Sequence, residues 1–206
     1  MKQGRRLPTE NRKAQILGIA SRVFYEEGYE KGSLSAIARE ARITKAAIYH
    51  HFKNKKEILY NIILGSIDRL VFNLREISGR KDDPIKELTE MIGVQVAYNS
   101  QKMNAKVVFE DSHFLGKKYE GIINSRQREI VEIYKKKLKE IAAAGRLKDI
   151  NIATAEFSLL GIVNWLYRWY NPDGKLSIGE IRDDIIKIIF YGMIRGDPQE
   201  QVRKKR

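Results

Sequence analysis

Residues 43 to 55, with the sequence ITKAAIYHHFKNK, concentrate hydroxyl, imidazole and ammonium groups in one short stretch. The adjacent histidines His50 and His51 are metal-binding side chains, but neighbours on a helix point about 100° apart and no carboxylate stands at a matching turn. We therefore expect no metal site here. Lys53 and Lys55 follow directly, and ammonium groups beside helix-capping hydroxyls are suited to contacting phosphate. The stretch indicates anion recognition rather than metal chemistry.

The chain as a whole carries few side chains suited to catalysis. It has no cysteine and three histidines, which excludes disulfides, thiolate metal sites and cysteine nucleophiles. There is no glycine-rich loop of the phosphate-binding type, and no pair of acidic residues has the spacing expected of an active-site cleft. We predict that the protein is not an enzyme and needs no cofactor.

Positive charge is concentrated at the two ends of the chain, whose formal net charge is +13. Residues 1 to 56 hold 13 basic and 5 acidic side chains, whereas residues 57 to 200 hold 22 and 21. Residues 201 to 206 add four basic side chains and no acidic one. A merely soluble basic surface would spread its charge more evenly. A polyanion is therefore the predicted partner of the N-terminal quarter.

The apolar residues form no segment long enough to cross a membrane. No run of about 18 apolar residues occurs, and the basic residues after Met1 are not followed by the apolar stretch of a secretory signal. The lack of cysteine suits a reducing compartment. We expect a cytoplasmic protein that does not associate with membranes.

Apolar residues recur at spacings of three and four along nearly the whole chain, which predicts an all-α protein of roughly nine helices. No strand and no internal repeat is evident. Thr9 is expected to cap the first helix and Pro84 to occupy the first turn of a later one. The expected helices cover residues 9 to 27, 35 to 41, 44 to 52, 56 to 78, 84 to 99, a shorter stretch up to 109, 117 to 144, 152 to 170 and 177 to 193.

The two short helices near the N-terminus have the interior that a helix-turn-helix requires. Ser33 or Ser35 can begin the first of them and Thr44 the second. Ala38 is small enough to let the helices cross closely. The apolar positions that would fill the space between them are Leu34, Ile37, Ala41, Ile43 and Ile48.

The outward positions of the second short helix are small or polar. They are Thr44, Lys45, Ala46, Tyr49 and His50. A slim helix of this kind can enter a DNA major groove, which is about 12 Å wide. Tyr49 would offer its hydroxyl there, although it could instead pack against the first helix. Lys53 and Lys56 could likewise form only a solvated face.

Residues 12 to 59 resemble the DNA-binding domain of the TetR family of transcriptional repressors. The matching residues are Ile16, Ala20, Phe24, Gly28, Leu34, Ile37, Ala38 and Ala41, then residues 43 to 52, Lys55, Glu57, Ile58 and Leu59. The resemblance implies that the side chains of the second short helix face DNA and that Lys55 contacts a phosphate. The predicted DNA-binding residues are Ser33, Ser35, Thr44, Lys45, Ala46, Tyr49, His50 and Lys55.

Two features close to this motif leave alternatives open. The family has glycine in the turn where this chain has Arg42, and if that residue adopts a positive φ the arginine costs about 1 kcal/mol relative to glycine. Arg5 and Arg6 could reach into a minor groove, or simply belong to an unstructured terminus.

We place the helix-turn-helix domain at residues 1 to 56 and an effector-binding and dimerisation domain at residues 57 to 206.

The C-terminal half carries more apolar surface than one small domain buries, above all in residues 157 to 170 and 181 to 194. In the TetR family this half both dimerises and binds a small effector. The resemblance therefore implies a homodimer through the last two helices, which form a four-helix bundle across a two-fold axis. Such a dimer reads a palindromic operator in double-stranded DNA, with half-sites about 34 Å or a multiple apart.

A second and shorter resemblance concerns residues 164 to 177, NWLYRWYNPDGKLS, which are similar to a segment of TetR regulators that respond to acyl-CoA thioesters. It implies an apolar pocket for the acyl chain and a cation beside aromatic rings for the nucleotide. The predicted effector-binding residues are Met91, Tyr98, Met103, Phe109, Phe114, Trp165 and Arg168.

Alternatives to this effector site remain open. The effector could be another apolar or aromatic acid. Trp165 and Trp169 could be anchors of a subunit interface, and each of the other predicted residues could be plain core. A DNA-binding protein of the same fold that uses no small effector, or that is regulated by a protein partner, is the alternative function.

Overall fold

The computed structural model describes residues 9 to 195, and over this range the chain is helical apart from short connections. The prediction of an all-α fold with about nine helices is confirmed for the described part of the chain. Arg5, Arg6 and the basic tail lie outside the described residues. The helices are α1 (Thr9–Glu27), α2 (Leu34–Ala41), α3 (Lys45–Tyr49), α4 (Lys55–Ser78), α5 (Pro84–Ser100), α6 (Lys102–Glu110), α7 (Lys117–Ala143), α8 (Ile152–Trp169) and α9 (Ile178–Met193), with a 3-10 turn at Ser112–Phe114.

Polar caps fix where several helices begin. Asp83 accepts hydrogen bonds from the backbone N–H groups of Ile85 and Lys86 at 2.8 and 3.1 Å, directly before Pro84 opens α5. Ser177 and Glu180 cap each other's backbone at the start of α9. These caps lie within one residue of the starts predicted from the sequence.

Helix α3 is shorter than predicted and ends at Tyr49. The N–H groups of His51 and Phe52 both bind the carbonyl oxygen of Ile48, at 2.9 and 3.0 Å, which closes the last turn. Asn54 then starts the next helix, because its side-chain oxygen accepts from the N–H of Glu57 at 2.9 Å. Residues 50 and 51 form a turn, so the helix ends three residues before the predicted end at residue 52.

The chain divides into two compact units. The first comprises residues up to Ser66 together with Met103–Ile123, and the second comprises Ile67–Lys102 with the residues from Asn124 onward. This division differs from the boundary after residue 56 expected from charge, because α6 and the start of α7 belong with the N-terminal helices. Helices α4 and α7 each contribute residues to both units.

The first unit is built on α1 to α3, whose apolar stripes meet in one core. Ile16, Phe24, Ile37, Ile48 and Phe52 are almost entirely buried there. Burial of side chains of this size stabilises a fold by about 1.5 to 3 kcal/mol each. The later segment of the unit joins this core through aromatic rings. The contacts are Tyr29 with Phe114, centroids 4.9 Å apart, and Tyr60 with Tyr119, stacked at 4.2 Å.

The second unit packs α5 against α8 and α9. Leu88, Met91 and Ile92 of α5 are fully buried, as are Leu159 and Val163 of α8. No helix among the described residues is long and apolar enough to cross a membrane.

A buried ion pair in the second unit joins three helices. The ammonium group of Lys137 in α7 binds the carboxylate of Glu87 in α5, and both side chains are almost fully buried. The same ammonium group binds Glu140 and donates to the backbone oxygen of Ser78, the last residue of α4, at 3.5 Å. Although burial lowers the pKa of Lys137, its hydrogen bonds to Glu140 and Glu87 hold that pKa above the ordinary value.

Candidate functional site

The turn between α2 and α3 sets the angle of the candidate recognition helix. Arg42 has φ 54° and ψ 43°, the left-handed conformation that glycine adopts most easily. Its N–H binds the carbonyl oxygen of Arg39 at 3.2 Å, and the N–H of Ile43 binds that of Ala38 at 3.0 Å. This is a Schellman motif, which ends α2 sharply. The positive φ considered for Arg42 from the sequence is therefore present.

Two hydroxyl groups begin the two short helices as predicted. The Ser33 oxygen accepts from the N–H of Ala36, and the Thr44 oxygen accepts from the N–H of Ala47, both at 3.1 Å. Each cap satisfies one of the backbone donors that a helix leaves unpaired in its first turn. Thr44 is exposed, so a phosphate could approach the start of α3.

The outward face of α3 is exposed and free of large apolar groups other than Tyr49. The side chains of Lys45, Ala46 and His50 are exposed, and Tyr49 is 55% exposed. More than half of Tyr49 thus stays in solvent, which disfavours the packing against α1 that the sequence left open. Ser33 and Ser35 are also exposed at the start of α2. Seven of the eight predicted DNA-binding residues thus lie in solvent within the described helix-turn-helix.

Lys55 is the exception, because its ammonium group is directed at the protein. It donates to the carbonyl oxygen of Glu30 at 3.1 Å and lies 4.3 Å from the ring centroid of Tyr29. Burial lowers the pKa of Lys55, and the charges of Glu30 and Asp111 partly oppose that effect. In this conformation the amine holds the start of α4 to the loop after α1. Lys53 and Lys56, by contrast, are exposed.

The predicted effector residues fall in different parts of the molecule. Met91 is fully buried in α5, and Tyr98 is partly buried in the same helix. Met103, Phe109 and Phe114 belong to the first unit, where Phe114 stacks on Tyr29. Trp165 and Arg168 lie on the exposed side of α8, with the guanidinium carbon 5.6 Å from the tryptophan ring centroid. Within the second unit the structure places Met91 inside and Trp165 outside.

The outer side of α8 and α9 forms an apolar groove of about 450 Å³. Trp165 and Ile188, which are 59% and 60% exposed, lie on its walls. Large apolar side chains with such exposure, gathered in one place, mark a surface that binds another molecule. The further exposed apolar residues on or beside these two helices are Phe157, Trp169, Leu176 and Tyr191.

Two buried amides on α5 were not singled out by the sequence. Gln95 and Asn99 are 2% and 1% exposed, and they lie on the same side of the helix as Met91. Their positions in the apolar stripe of α5 were the signal available, because a polar residue in such a stripe is buried with the others. No group of His, Cys, Asp or Glu residues suited to a metal occurs within residues 9 to 195.

Two family models match the chain. The model for bacterial regulatory proteins of the tetR family matches residues 16–62, and the model for the tetracyclin repressor-like C-terminal domain matches residues 81–193. The chain belongs to the TetR family. The resemblance first seen in the helix-turn-helix of this TetR protein thus extends through both units.

Curated relatives of this TetR chain are transcription regulators. The HTH-type transcriptional repressor KstR2 of Rhodococcus jostii is 24% identical over 186 residues, which cover 88% of this chain and 91% of the repressor. Among solved structures, a TetR/AcrR-family transcriptional regulator from Thermobifida fusca is 29% identical with a TM-score of 0.74, and the match covers 88% of this chain and 98% of that one.

A further solved structure shows a TetR-like fold with ligands. AibR, in complex with isovaleryl coenzyme A and operator DNA, is 25% identical to this chain with a TM-score of 0.80, and the match covers 87% of this chain and 98% of AibR. The complex shows that AibR itself binds an acyl-CoA thioester and DNA.

Proposed function

We propose that this TetR-family protein is a transcriptional repressor in the cytoplasm, which binds a palindromic operator as a homodimer and is released by a small apolar effector of the acyl-CoA class. The observation that carries the proposal is the exposed, slim face of α3, held by the Arg42 turn and capped by Thr44. The net charge of +13 favours a polyanionic partner of this kind.

DNA contact is proposed for the exposed residues of the motif. Lys45, Tyr49 and His50 present an ammonium, a hydroxyl and an imidazole group to the major groove, while Ala46 keeps the approach close. Ser33, Ser35 and Thr44 lie where backbone phosphates would pass. Lys55 would reach a phosphate only by leaving the carbonyl oxygen of Glu30, and Lys53 and Lys56 are better placed for the first contact.

The homodimer is supported by the apolar outer side of α8 and α9. Two such pairs of helices, related by a two-fold axis, form a four-helix bundle that removes Trp165, Trp169 and Ile188 from water. The exposure of both tryptophans favours their role as interface anchors over a role in an internal effector pocket. Arg168, beside Trp165, belongs to the same surface.

The acyl-CoA effector is supported by the likeness to AibR and by the composition of the second unit. Met91 and Tyr98 are the predicted effector residues that this unit holds on α5. The proposed dimer has one conformation in which the spacing of its two helix-turn-helix motifs fits the operator and another in which it does not. The effector must bind the second conformation more tightly, because equal affinity for both would leave their populations unchanged. Helix α4 contributes to both units and is the proposed mechanical connection.

The test is fluorescence anisotropy of a labelled duplex that carries the palindrome upstream of the gene, titrated with protein in excess competitor DNA. The complex is then challenged with acyl-CoA thioesters of increasing chain length, and with coenzyme A alone as the control. We expect specific binding that one thioester abolishes. Specific binding that survives every thioester would reject the effector class, and no specific binding to the palindrome would reject the repressor.

A further inference from the structure

Three side-chain amides meet between α5 and α8 in the second unit. Gln95 donates through its Nε2 to the Oδ1 of Asn164 at 2.8 Å. Asn99 donates through its Nδ2 to the backbone oxygen of Val163 at 2.9 Å and to the same Asn164 oxygen at 3.3 Å. A single oxygen of Asn164 therefore accepts hydrogen bonds from both α5 amides.

The orientation of all three amides follows from one backbone group. The carbonyl oxygen of Val163 can only accept, so the group of Asn99 that faces it must be the NH₂ group. The Asn164 atom that lies beside this NH₂ group must then be an oxygen, and the Gln95 atom that approaches this oxygen must be a nitrogen. These contacts favour this orientation of the three amides, in which the Asn99 NH₂ group donates to both Val163 and Asn164.

Two carbonyl oxygens are left over. Gln95 Oε1 and Asn99 Oδ1 are buried and find no hydrogen-bond donor among the residues that the structure describes. A buried carbonyl oxygen without a donor loses its hydrogen bonds to water and forms no replacement, so its burial costs free energy. Two such oxygens, one helical turn apart on the same face of α5, form an acceptor pair.

The acceptor pair continues a stripe that begins with an apolar residue. Met91, Gln95 and Asn99 follow one another at intervals of four, so their side chains lie on one face of α5. Met91 is fully buried and is one of the predicted effector residues. An apolar group beside two unpaired acceptors is the combination typical of sites for small molecules, in which a few polar groups fix the orientation of a largely apolar ligand.

We propose that Gln95 Oε1 and Asn99 Oδ1 accept hydrogen bonds from the effector, which is therefore a molecule with N–H or O–H donors beside its apolar part. This inference rests on the proposed function, since it names the chemistry of the same effector. Groups that only accept, such as a carboxylate or the carbonyl of a thioester, do not satisfy the pair. In an acyl-CoA thioester the donors can come from the amides of the pantetheine arm or from a hydroxyl group on the acyl chain.

Isothermal titration calorimetry of the purified full chain tests this pairing with three probes: decanoate, decanoyl-CoA and the corresponding β-hydroxyacyl-CoA. The variant is Gln95→Met, which has similar volume and leaves the Asn99 bond to Val163 in place. The matched control is Asn73→Leu, at an exposed position of α4 in the same unit. If the pantetheine amides are the donors, Gln95→Met weakens both thioesters by about tenfold and leaves decanoate unchanged. If the hydroxyl is the donor, only the β-hydroxyacyl-CoA loses affinity.

Three results would overturn the inference. The first is binding of every probe by Gln95→Met and by Asn99→Leu as in the wild type. The second is no binding of any probe by the wild type. The third is an equal loss of affinity for all probes in Gln95→Met, together with a large fall in its unfolding temperature. The Gln95 amide would then stabilise the fold without contacting the effector. We expect instead an unfolding temperature close to that of the wild type, since removal of the unpaired Gln95 Oε1 offsets loss of the hydrogen bond from Gln95 Nε2 to Asn164.

The operator assay separates this inference from the proposed function. Release of operator by decanoyl-CoA and by the β-hydroxyacyl-CoA, each at the same concentration in wild type and Gln95→Met, would keep the repressor and remove Gln95 from effector recognition. Loss of thioester binding in Gln95→Met, together with wild-type operator binding that no thioester disturbs, would keep the acceptor pair and reject the effector-released repressor.

Discussion

The outer face of α3 and the outer face of α8 and α9 are both exposed, yet they differ in chemistry. The α3 face carries Lys45, Ala46 and His50, and Tyr49 is its one large ring. The α8 and α9 face carries tryptophans and isoleucine around a groove of about 450 Å³. The first face offers hydrogen bonds and charge on a slim surface, whereas the second offers mainly apolar area.

The difference teaches which kind of molecule each face can bind. DNA is a hydrated polyanion, which a protein binds through positive charge and through hydrogen bonds to base edges. A bulky apolar patch would obstruct the approach of the protein to the groove. A second protein surface is held by burial of large aromatic anchors. Exposure alone therefore says little, and the side chains that share an exposed face decide its partner.

The largest effect is expected when the apolar face is made charged. The double substitution Trp165→Glu and Ile188→Glu should separate the proposed homodimer, because each carboxylate would have to be buried at the interface. Operator affinity should fall by about 100-fold or more, since the two heads would no longer bind as a linked pair. Sedimentation velocity gives the oligomeric state and anisotropy gives the affinity.

Phe72→Glu is the matched control, because Phe72 is an equally exposed aromatic residue on α4. It should leave both the oligomeric state and the operator affinity unchanged. A dimer that persists in the double variant would show that the α8 and α9 face serves another partner.

A smaller effect is expected on the polar face. Tyr49→Ala should cost about 1 to 3 kcal/mol of operator binding while the oligomeric state stays as in the wild type. Tyr49→Phe distinguishes the hydroxyl from the ring, because it removes only the donor. Wild-type affinity in Tyr49→Ala, measured by anisotropy at fixed salt, would remove this residue from the contact surface.

On the buried side of α8, the contribution of Glu156 to folding stability should depend on pH. Glu156 is 1% exposed, and burial raises the pKa of its carboxyl, an effect that Lys135 opposes and Glu132 reinforces. The folded state thus favours the protonated form, so the contribution of Glu156 to stability is present below its unfolded pKa and is lost as pH rises through the folded pKa. Glu156→Gln should raise the unfolding temperature by a few degrees at pH 8 and hardly at pH 4.

Thermal unfolding at the two pH values, followed by circular dichroism, checks the Glu156 prediction. Glu76→Gln, at an exposed position of α4 that does not act on the Glu156 pKa, is the comparison variant. An equal gain from Glu156→Gln at both pH values would mean that charge burial is not the cause.

The smallest effect is expected at the turn before α3. Arg42→Gly should stabilise the fold by about 1 kcal/mol or less, because glycine accepts a φ of 54° without steric cost while losing more freedom on folding. Arg42→Ala removes the same charge but keeps the Cβ atom, so it should bring no gain. Chemical denaturation of the three proteins measures the difference, and equal stability of both variants would contradict the steric explanation.

Local chemistry made the helix-turn-helix readable from the sequence. Ser33 and Thr44 cap the helices they were predicted to cap, and the departure from glycine at Arg42 pointed to the one strained backbone position of the motif. These features depend on hydrogen bonds and steric contacts within a few residues, and such interactions can be predicted from short stretches of sequence.

Contacts between distant residues could not be read in the same way. The amine of Lys55 is held by Glu30 and by the Tyr29 ring, about 25 residues earlier, as a loop closes over the start of α4. Gln95 and Asn99 reach Asn164 on another helix, and their unpaired oxygens exist only because of how α5 and α8 pack. Amphipathic periodicity predicts which face of a helix is buried, but not which atoms meet there.

The buried ammonium group of Lys137 has a consequence for how the second unit opens. It holds Ser78 at the end of α4, Glu87 in α5 and Glu140 in α7 through one point charge. If any of these segments separates from the others, charges of the Lys137 cluster remain buried without their full set of partners, which costs much free energy. The three segments should therefore exchange their amide hydrogens for deuterium together, as one cooperative unit, and not each at its own rate.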